Sequence, residues 1–341
     1  MFGKIFVAMV FVLLLGGVAF WYSERNIRDE VISHTDQSLK VVATFYPLQA
    51  LAQGVVGELG TVTSIVPGGV EPHDFEPTPK DIKDLYSAHL VIINGAGMDP
   101  WAEKLVPELQ QKGVAVLVLA QSVDLLSGEA HHHHEDANGE THEEDMHDSG
   151  ADHEVLDRHE DQKEGESFDP HFWLDPVIAG TLVQSMTQVL VTAHPDKRSV
   201  LMAQSEAVLE KLRSIDAAYR SGLTSCTHDE AVTSHNAFAY LAKRYGFETH
   251  ALSGLSPESE PSAKRLAEIA HEVKEEGIKY IFFETLVNPK LSETLAREVG
   301  AETLVFNPIE GLTTEELAQG INYFSLMETN LAALRKALEC K

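Results

Sequence analysis

The sequence predicts an α/β protein: two doubly wound α/β lobes bridged by a long helix. Three observations predict it. From Val41 onward, short β-branched runs alternate with amphipathic stretches. A continuous helical pattern then runs from about Asp196 to Tyr219. After Gly222 the strand–helix alternation starts again.

In the first half, "VVATF" reads as a strand, "PLQALAQGVVGE" as a helix and "VTSIV" as a strand. Pro79–Ala88 reads as a helix, "LVIING" as a strand, Ala102–Gln111 as a helix and "VAVLVL" as a strand. That order implies a mostly parallel sheet with helices on both faces. Residues 129–168 interrupt it. They are rich in His and acid, poor in aliphatic residues and without usable periodicity, so they are expected to be disordered. Order resumes at "FDPHFWLDP", and helical patterning follows from Val177 to Ala193. In the long helix, Leu201, Val208, Leu212, Ile215 and Tyr219 mark one face, with Pro195 at its start. At 1.5 Å per residue it would be ~36 Å long, enough to cross a small domain.

The second half gives "AVTSH" as a strand, Ala237–Tyr245 as a helix, "ETHAL" as a strand and Ser262–Glu276 as a helix. "YIFFE" is a strand, Pro289–Val299 a helix, "ETLVF" a strand and Thr314–Leu338 one closing helix. The expected division is therefore an N-terminal lobe over 40–194, a linking helix over 195–220 and a C-terminal lobe over 221–341.

The 341 residues carry a formal net charge of -27. Glu129–Asp169 holds sixteen acids against Arg158 and Lys163, about half of that charge. Such a chain is a poor partner for nucleic acid and a natural one for cations. Lys4 precedes an uncharged apolar run, Ile5–Tyr22, which reads as a signal peptide or an uncleaved N-terminal anchor over 1–22. Either way the rest of the chain would be periplasmic or otherwise extracytoplasmic. No cysteine follows the run, so the sequence predicts no lipid attachment there. In an oxidising compartment the two cysteines, Cys226 and Cys340, are expected to form a disulfide; two separate thiols are the alternative.

Four stretches place metal-type ligands where strands or loops end: "VEPHDFEP" with His73, "DPHFWLDP" with His171, "VTSHNAF" with His235 and "YIFFETLVNP" with Glu284. Doubly wound sheets collect ligand groups at the carboxyl ends of their strands. Two groups from each half would then meet in the cleft between the lobes. Three imidazoles and one carboxylate suit a tetrahedral zinc shell. Asp74, Asp169 and Asp175 are close enough in sequence to orient the rings. Spacing alone leaves each histidine open to an incidental role, and Glu284 open to a role as a buried carboxylate holding its loop.

The stretches "ATFYPLQALA", "VPGGVEPHDFEPTPKDI", "NGAGMDPWAEKL", "DPHFWLDP", "SHNAFAYLAKRYGFE" and "FFETLVNPKLSETLAREVG" resemble the zinc-binding solute-binding proteins of ABC transporters, the ZnuA-like group. The resemblance spans Lys40–Cys340 in order. It implies two α/β lobes joined by a rigid helix, with the metal between them, and a Zn2+ cargo delivered to a permease and its ATPase. It implies that His73, His171 and His235 match three histidine ligands. The chain is expected to be a monomer. The cysteine pair resembles one in many members of the group. For the fourth ligand the expectation is Glu284, with Glu71, Asn288 or water as alternatives; manganese-type relatives place an aspartate at Asn288. Three histidines favour zinc over manganese or iron. Members that bind zinc often carry a His- and acid-rich loop before "DPH". His131, His132, His133, His134, His142, His147, His153 and His159 are accordingly expected to bind metal weakly, as an accessory collector.

A zinc hydrolase is the main enzymatic alternative. The chain lacks H-E-x-x-H and G-x-S-x-G, so no enzymatic activity is expected. A surface adhesin or metal-sequestering protein remains a third reading.

Overall fold

A computed structural model of the protein describes residues 38–128 and 167–341. The 1–22 segment, residues 129–166 of the insert and all eight of its histidines lie outside the described residues. Lys40–Lys341 forms one compact unit.

Two four-stranded sheets organise it. The first contains β1 (Leu39–Ala43), β2 (Gly60–Ser64), β3 (Leu90–Ile93) and β4 (Ala115–Val118), in the order β2-β1-β3-β4. The second contains β5 (Glu230–Thr233), β6 (Glu248–Ala251), β7 (Tyr280–Phe283) and β8 (Glu302–Val305), in the order β6-β5-β7-β8. Parallel registers such as Val41↔Leu90 and Ile281↔Thr303 fix the pairing. The order is the same in both halves, and in each it reverses direction beside the first strand. In open α/β sheets that reversal opens a crevice at the carboxyl ends of the strands. All four residues of β3 are buried, because helices cover both faces of a parallel sheet.

In the first half, α1 (Tyr46–Val56), α2 (Pro79–Tyr86), α3 (Pro100–Glu103) and α4 (Val106–Gln111) connect the strands. Thr78 caps α2 reciprocally with Asp81. The sequence predicts one helix over 102–111; the structure has two. Pro107 has no N–H to donate back to the preceding turn, so the helix restarts with proline in its first turn. Val42, Val91, Ile93, Leu85 and Leu109 pack into one core.

A 3-10 turn, Phe172–Leu174, leads into α5 (Pro176–Ala193). The Asp175 carboxylate caps α5, accepting from Val177 N–H at 2.8 Å. The linking helix is α6 (Arg198–Gly222), 25 residues long. Its buried stripe is Leu201, Ser205, Val208, Leu212, Ile215 and Tyr219, the face expected from sequence with Ser205 added. Burying each large apolar member contributes roughly 1.5–3 kcal/mol. Close approach of α1 explains Gly54: a Cβ there would sit 2.6 Å from Val208 Cγ2. Ser205 finds its partner in the Thr187 hydroxyl at 2.9 Å.

The second half carries α7 (Ala239–Tyr245), α8 (Ala263–Glu275), α9 (Lys290–Val299), α10 (Thr314–Ala318) and α11 (Tyr323–Ala337). The single closing helix expected over 314–338 is also two. Gly320 takes a left-handed φ of 73°, and the Asn322 side chain caps α11 by accepting from Phe324 and Ser325. Tyr219 donates to Met327 O at 2.8 Å, fastening α6 to α11. Cys226 and Cys340 are joined by a disulfide, as expected.

Candidate metal centre

Four side chains converge: His73, His171, His235 and Glu310. Each is set by the segment that follows a strand or precedes a helix. His73 lies in the loop between β2 and α2. His171 begins the 3-10 turn ahead of α5. His235 comes two residues after β5, and Glu310 five residues after β8.

Five of the six distances between the ligand atoms match the edges of a tetrahedron, and all four atoms lie within 4.8 Å of one another. Glu310 Oε1 is 3.3 Å from the Nε2 of His73, of His171 and of His235. His171 Nε2 is 3.2 Å from that of His73 and 3.3 Å from that of His235. A regular tetrahedron with such edges has its centre about 2.0 Å from each corner, which is the Zn–N and Zn–O bond length.

Hydrogen bonds on the far side of two rings fix their tautomers. His171 Nδ1–H donates to Asp169 Oδ1 at 2.7 Å. His235 Nδ1–H donates to Glu284 Oε1 at 2.6 Å, and Ser234 Oγ donates to the same oxygen. In the neutral rings both Nε2 atoms then direct lone pairs at each other and at the Glu310 carboxylate; when protonated they donate to Glu310 instead. Lone pairs 3.3 Å apart repel unless a cation or shared protons lie between them. Second carboxylate partners of this kind orient metal-bound histidines and raise their basicity.

Electrostatics agree. Burial pushes the Glu310 carboxyl up, but the His235 charge and hydrogen bonds from the three imidazoles hold it well below the usual carboxylate range. Burial pulls His235 down, yet the charges of Glu284 and Glu310 carry it well above the ordinary imidazole value. For His171, burial is likewise outweighed by its bonds to Asp169 and Glu310, and the net shift is upward. His73 is lowered by burial. Glu310 Oε2 is buried without a hydrogen-bond partner. The polar, anionic pocket is therefore built for a cation.

The Glu310 loop is held from several sides. Ile309 adopts φ 59°, a strained conformation for a β-branched residue. Its N–H donates to Asn307 Oδ1 at 2.7 Å. Asn330 accepts from Asn307 N–H and donates to Asn307 O. Trp173 Nε1 donates to Pro308 O at 2.8 Å, locking this loop to the turn that bears His171. On the other side, Asn94 at the end of β3 donates to Pro170 O at 3.0 Å.

The structure thus brings His73, His171 and His235 together but leaves Glu284 outside the cluster, on the outer nitrogen of His235. The fourth corner is Glu310, which the sequence reading missed. "ETLVF" reads as a strand, and Glu310 lies just past it in "NPIEGL", at a strand's carboxyl end as Glu284 is after "YIFF". Glu71 does not join the cluster either. Its Oε1 accepts from His73 N–H at 3.1 Å, and burial with the nearby Glu310 charge pushes its carboxyl up to about 9. Asn288 Oδ1 accepts from Lys290 N–H at 3.1 Å, at the start of α9. Of the three aspartates expected to orient rings, Asp169 does so. Asp74 is exposed, and Asp175 caps α5 and pairs with Arg244.

Residues 41–337 match the family described as "Zinc-uptake complex component A periplasmic". The high-affinity zinc uptake system protein ZnuA of Bacillus subtilis is 36% identical over 303 residues, 89% of this chain and 88% of that protein. The zinc-binding protein AdcA of Streptococcus pyogenes is 36% identical over 297 residues, 87% of this chain. The chain spans only 55% of the length of that longer relative. Among solved structures, the Zn(II)-bound ZnuA-like domain of Streptococcus pneumoniae AdcA superposes with a TM-score of 0.71 at 35% identity, covering 89% of this chain and 100% of that one. The chain belongs to the ZnuA family.

Proposed function

We propose that the protein captures Zn2+ outside the cytoplasm and delivers it to an ABC-type importer, through its permease and ATPase. The observation that carries the reading is the tetrahedron of His73, His171, His235 and Glu310, whose edges fit a Zn2+ ion at its centre. Donor type supports the same ion. Three imidazoles with one carboxylate suit zinc, whereas manganese favours more oxygen donors and a higher coordination number. The zinc-binding and zinc-uptake roles carried in the names of the ZnuA and AdcA relatives support it independently.

The binding chemistry follows from the ligands. Zn2+ replaces the protons shared among the imidazoles and Glu310, so binding releases protons and weakens in acid. Three neutral rings and one carboxylate leave the filled shell with a formal charge of about +1, which Asp169 and Glu284 offset from the outer nitrogens. A catalytic zinc keeps one position open for water. Here four protein donors close the shell, which favours carriage of the ion over hydrolysis.

Release requires the tetrahedron to open. Its corners sit on four separate segments in the two sheet-bearing halves, so separating any two of them breaks the chelate. Isothermal titration with zinc tests the proposal: the unmodified chain should show one tight site, absent in both His73→Ala and His235→Ala. A tight site that survives in both variants would refute it.

A further inference from the structure

The Tyr240 hydroxyl makes two hydrogen bonds at the junction between the two ligand-bearing segments. It accepts from Leu126 N–H at 2.9 Å and donates to Asp169 O at 2.9 Å. Tyr240 is 3% exposed, and its ring sits edge-on to Phe172 with centroids 6.3 Å apart. Burial holds its phenol above the ordinary value, so the hydroxyl keeps its proton and its donor role.

Both ends of that bridge lead to a metal ligand. On one side, Tyr240 belongs to α7, which begins four residues after His235; Ala237 N–H donates to His235 O at 3.0 Å, so the connection is short and folded. On the other side, the Asp169 carboxylate accepts from both the backbone N–H and the Nδ1–H of His171. Asp169 N–H also donates to Leu126 O at 2.9 Å, and Gly128 N–H to Ser167 O at 2.7 Å. Leu126 and Asp169 are thus zipped together, and Tyr240 pins the zipped pair to the segment that carries His235. The two Nε2 atoms whose separation this governs are 3.3 Å apart.

We infer that Tyr240 is a positioning residue for metal binding: its hydroxyl sets the span between His171 and His235 by fixing the Asp169 segment to α7. The inference rests on the zinc-capture reading. No other described side chain hydrogen-bonds both Leu126 and Asp169. Tyr240→Phe removes one hydroxyl and leaves the ring packed against Phe172. Beyond what the metal-free fold loses, an added cost should fall on the bound state, whose short ligand–ligand distances tolerate little slack.

The test compares Tyr240→Phe with Tyr245→Phe. Tyr245 lies on the same helix and donates to Asp216 Oδ1 at 3.0 Å, away from the ligands. Three quantities are read on the full chain: the rate of Zn2+ loss to excess chelator, the visible absorption of the Co2+-loaded protein, and the Tm of the metal-free protein. The expected result for Tyr240→Phe is about tenfold faster Zn2+ loss, the effect of one net hydrogen bond. Its Co2+ bands should shift, because their energy and intensity report the ligand field. Tyr245→Phe should match the unmodified protein in both metal readouts, while both variants lower the metal-free Tm by a similar amount. The inference is overturned if Tyr240→Phe releases Zn2+ and absorbs light like the unmodified chain, if Tyr245→Phe reproduces its effects, or if Tyr240→Phe fails to fold. An unmodified chain that holds neither ion tightly overturns the zinc-capture reading itself, and with it this inference. An unmodified chain that holds both while Tyr240→Phe matches it overturns the inference alone.

Discussion

Replacing Glu310 and Glu284 one at a time by glutamine separates a carboxylate that touches the ion from one that acts through a ring. Both are buried, at 1% and 3% exposure, and both lose one negative charge without losing volume. Glu310 Oε1 forms a corner of the tetrahedron, about 2.0 Å from its centre. Glu284 Oε1 lies 2.6 Å beyond His235 Nδ1, so the imidazole and the Zn–N bond put it roughly 6–7 Å from the same centre. Coulomb attraction falls as 1/r, so at one effective dielectric the Glu310 charge acts about three times as strongly on the ion. Loss of an outer carboxylate partner costs about 10–100-fold in metal affinity. Tripling the lower logarithm gives at least about a thousandfold for Glu310→Gln. Competition with chelators of graded affinity at fixed pH measures both variants against the unmodified chain. Equal losses, or a larger loss for Glu284→Gln, would refute the assignment of Glu310 as the fourth ligand and return that role to Glu284.

Deleting residues 131–159 should leave the tight site nearly intact, because none of its four corners lies there; calorimetry that found the tight site gone would contradict this. Reducing the Cys226–Cys340 disulfide, which spans 114 residues of sequence, should lower the unfolding free energy by about 2–5 kcal/mol, read as a drop in denaturant midpoint with and without reductant. Glu71 gives a pH prediction. Its folded carboxyl is raised from the ordinary value to about 9, so between pH 4.5 and 9 the folded state holds a proton that the unfolded state has lost. That contribution is fully present below the ordinary glutamate pKa and disappears as pH rises toward 9, by at most ~1.4 kcal/mol per unit. Metal-free Glu71→Gln should therefore lose less stability than the unmodified chain on going from pH 6 to pH 9, measured by urea unfolding in the presence of chelator.

Most of the fold was legible because the periodicities are local. The β-branched runs and the 201–219 stripe mark strands and a helix whatever they pack against, and the structure retains them. The two misjudged helices failed at punctuation inside otherwise helical stretches. Pro107 withholds an N–H, and Gly320 with Asn322 ends one helix and caps the next. Within the site, "EPHDF", "DPHFW" and "SHNAF" place an imidazole at an element boundary, but that placement left each histidine open to an incidental role until the resemblance to the ZnuA-like group singled out all three. The carboxylate was harder. Glu284 and Glu310 each follow a strand of the same sheet, and both are buried. Their difference is the side of the His235 ring that each meets, Nδ1 for Glu284 and Nε2 for Glu310. Tertiary placement of two loops decides that, and neither loop encodes it alone.

The choice of carboxylate bears on how the cargo leaves. If Glu284 were the fourth ligand, the ion would be held in the second half by the ends of β5 and β7, two neighbouring strands of one sheet, and a shift of the loop after β8 would leave it bound. With Glu310 as the corner, one ligand rides on a segment with no regular structure between Phe306 and Leu312, strained at Ile309 and tethered by Trp173 to the turn that carries His171. Strained segments persist only while their surroundings over-determine them. Separating the Pro308 carbonyl from the Trp173 indole removes one such determinant and frees Glu310 to relax away from the histidines. On the proposed function, opening the halves and withdrawing the one carboxylate of the described cluster would then become one motion. Loss of that charge weakens what remains to three neutral imidazoles, a shell from which an acceptor site of a few additional donors can take the ion.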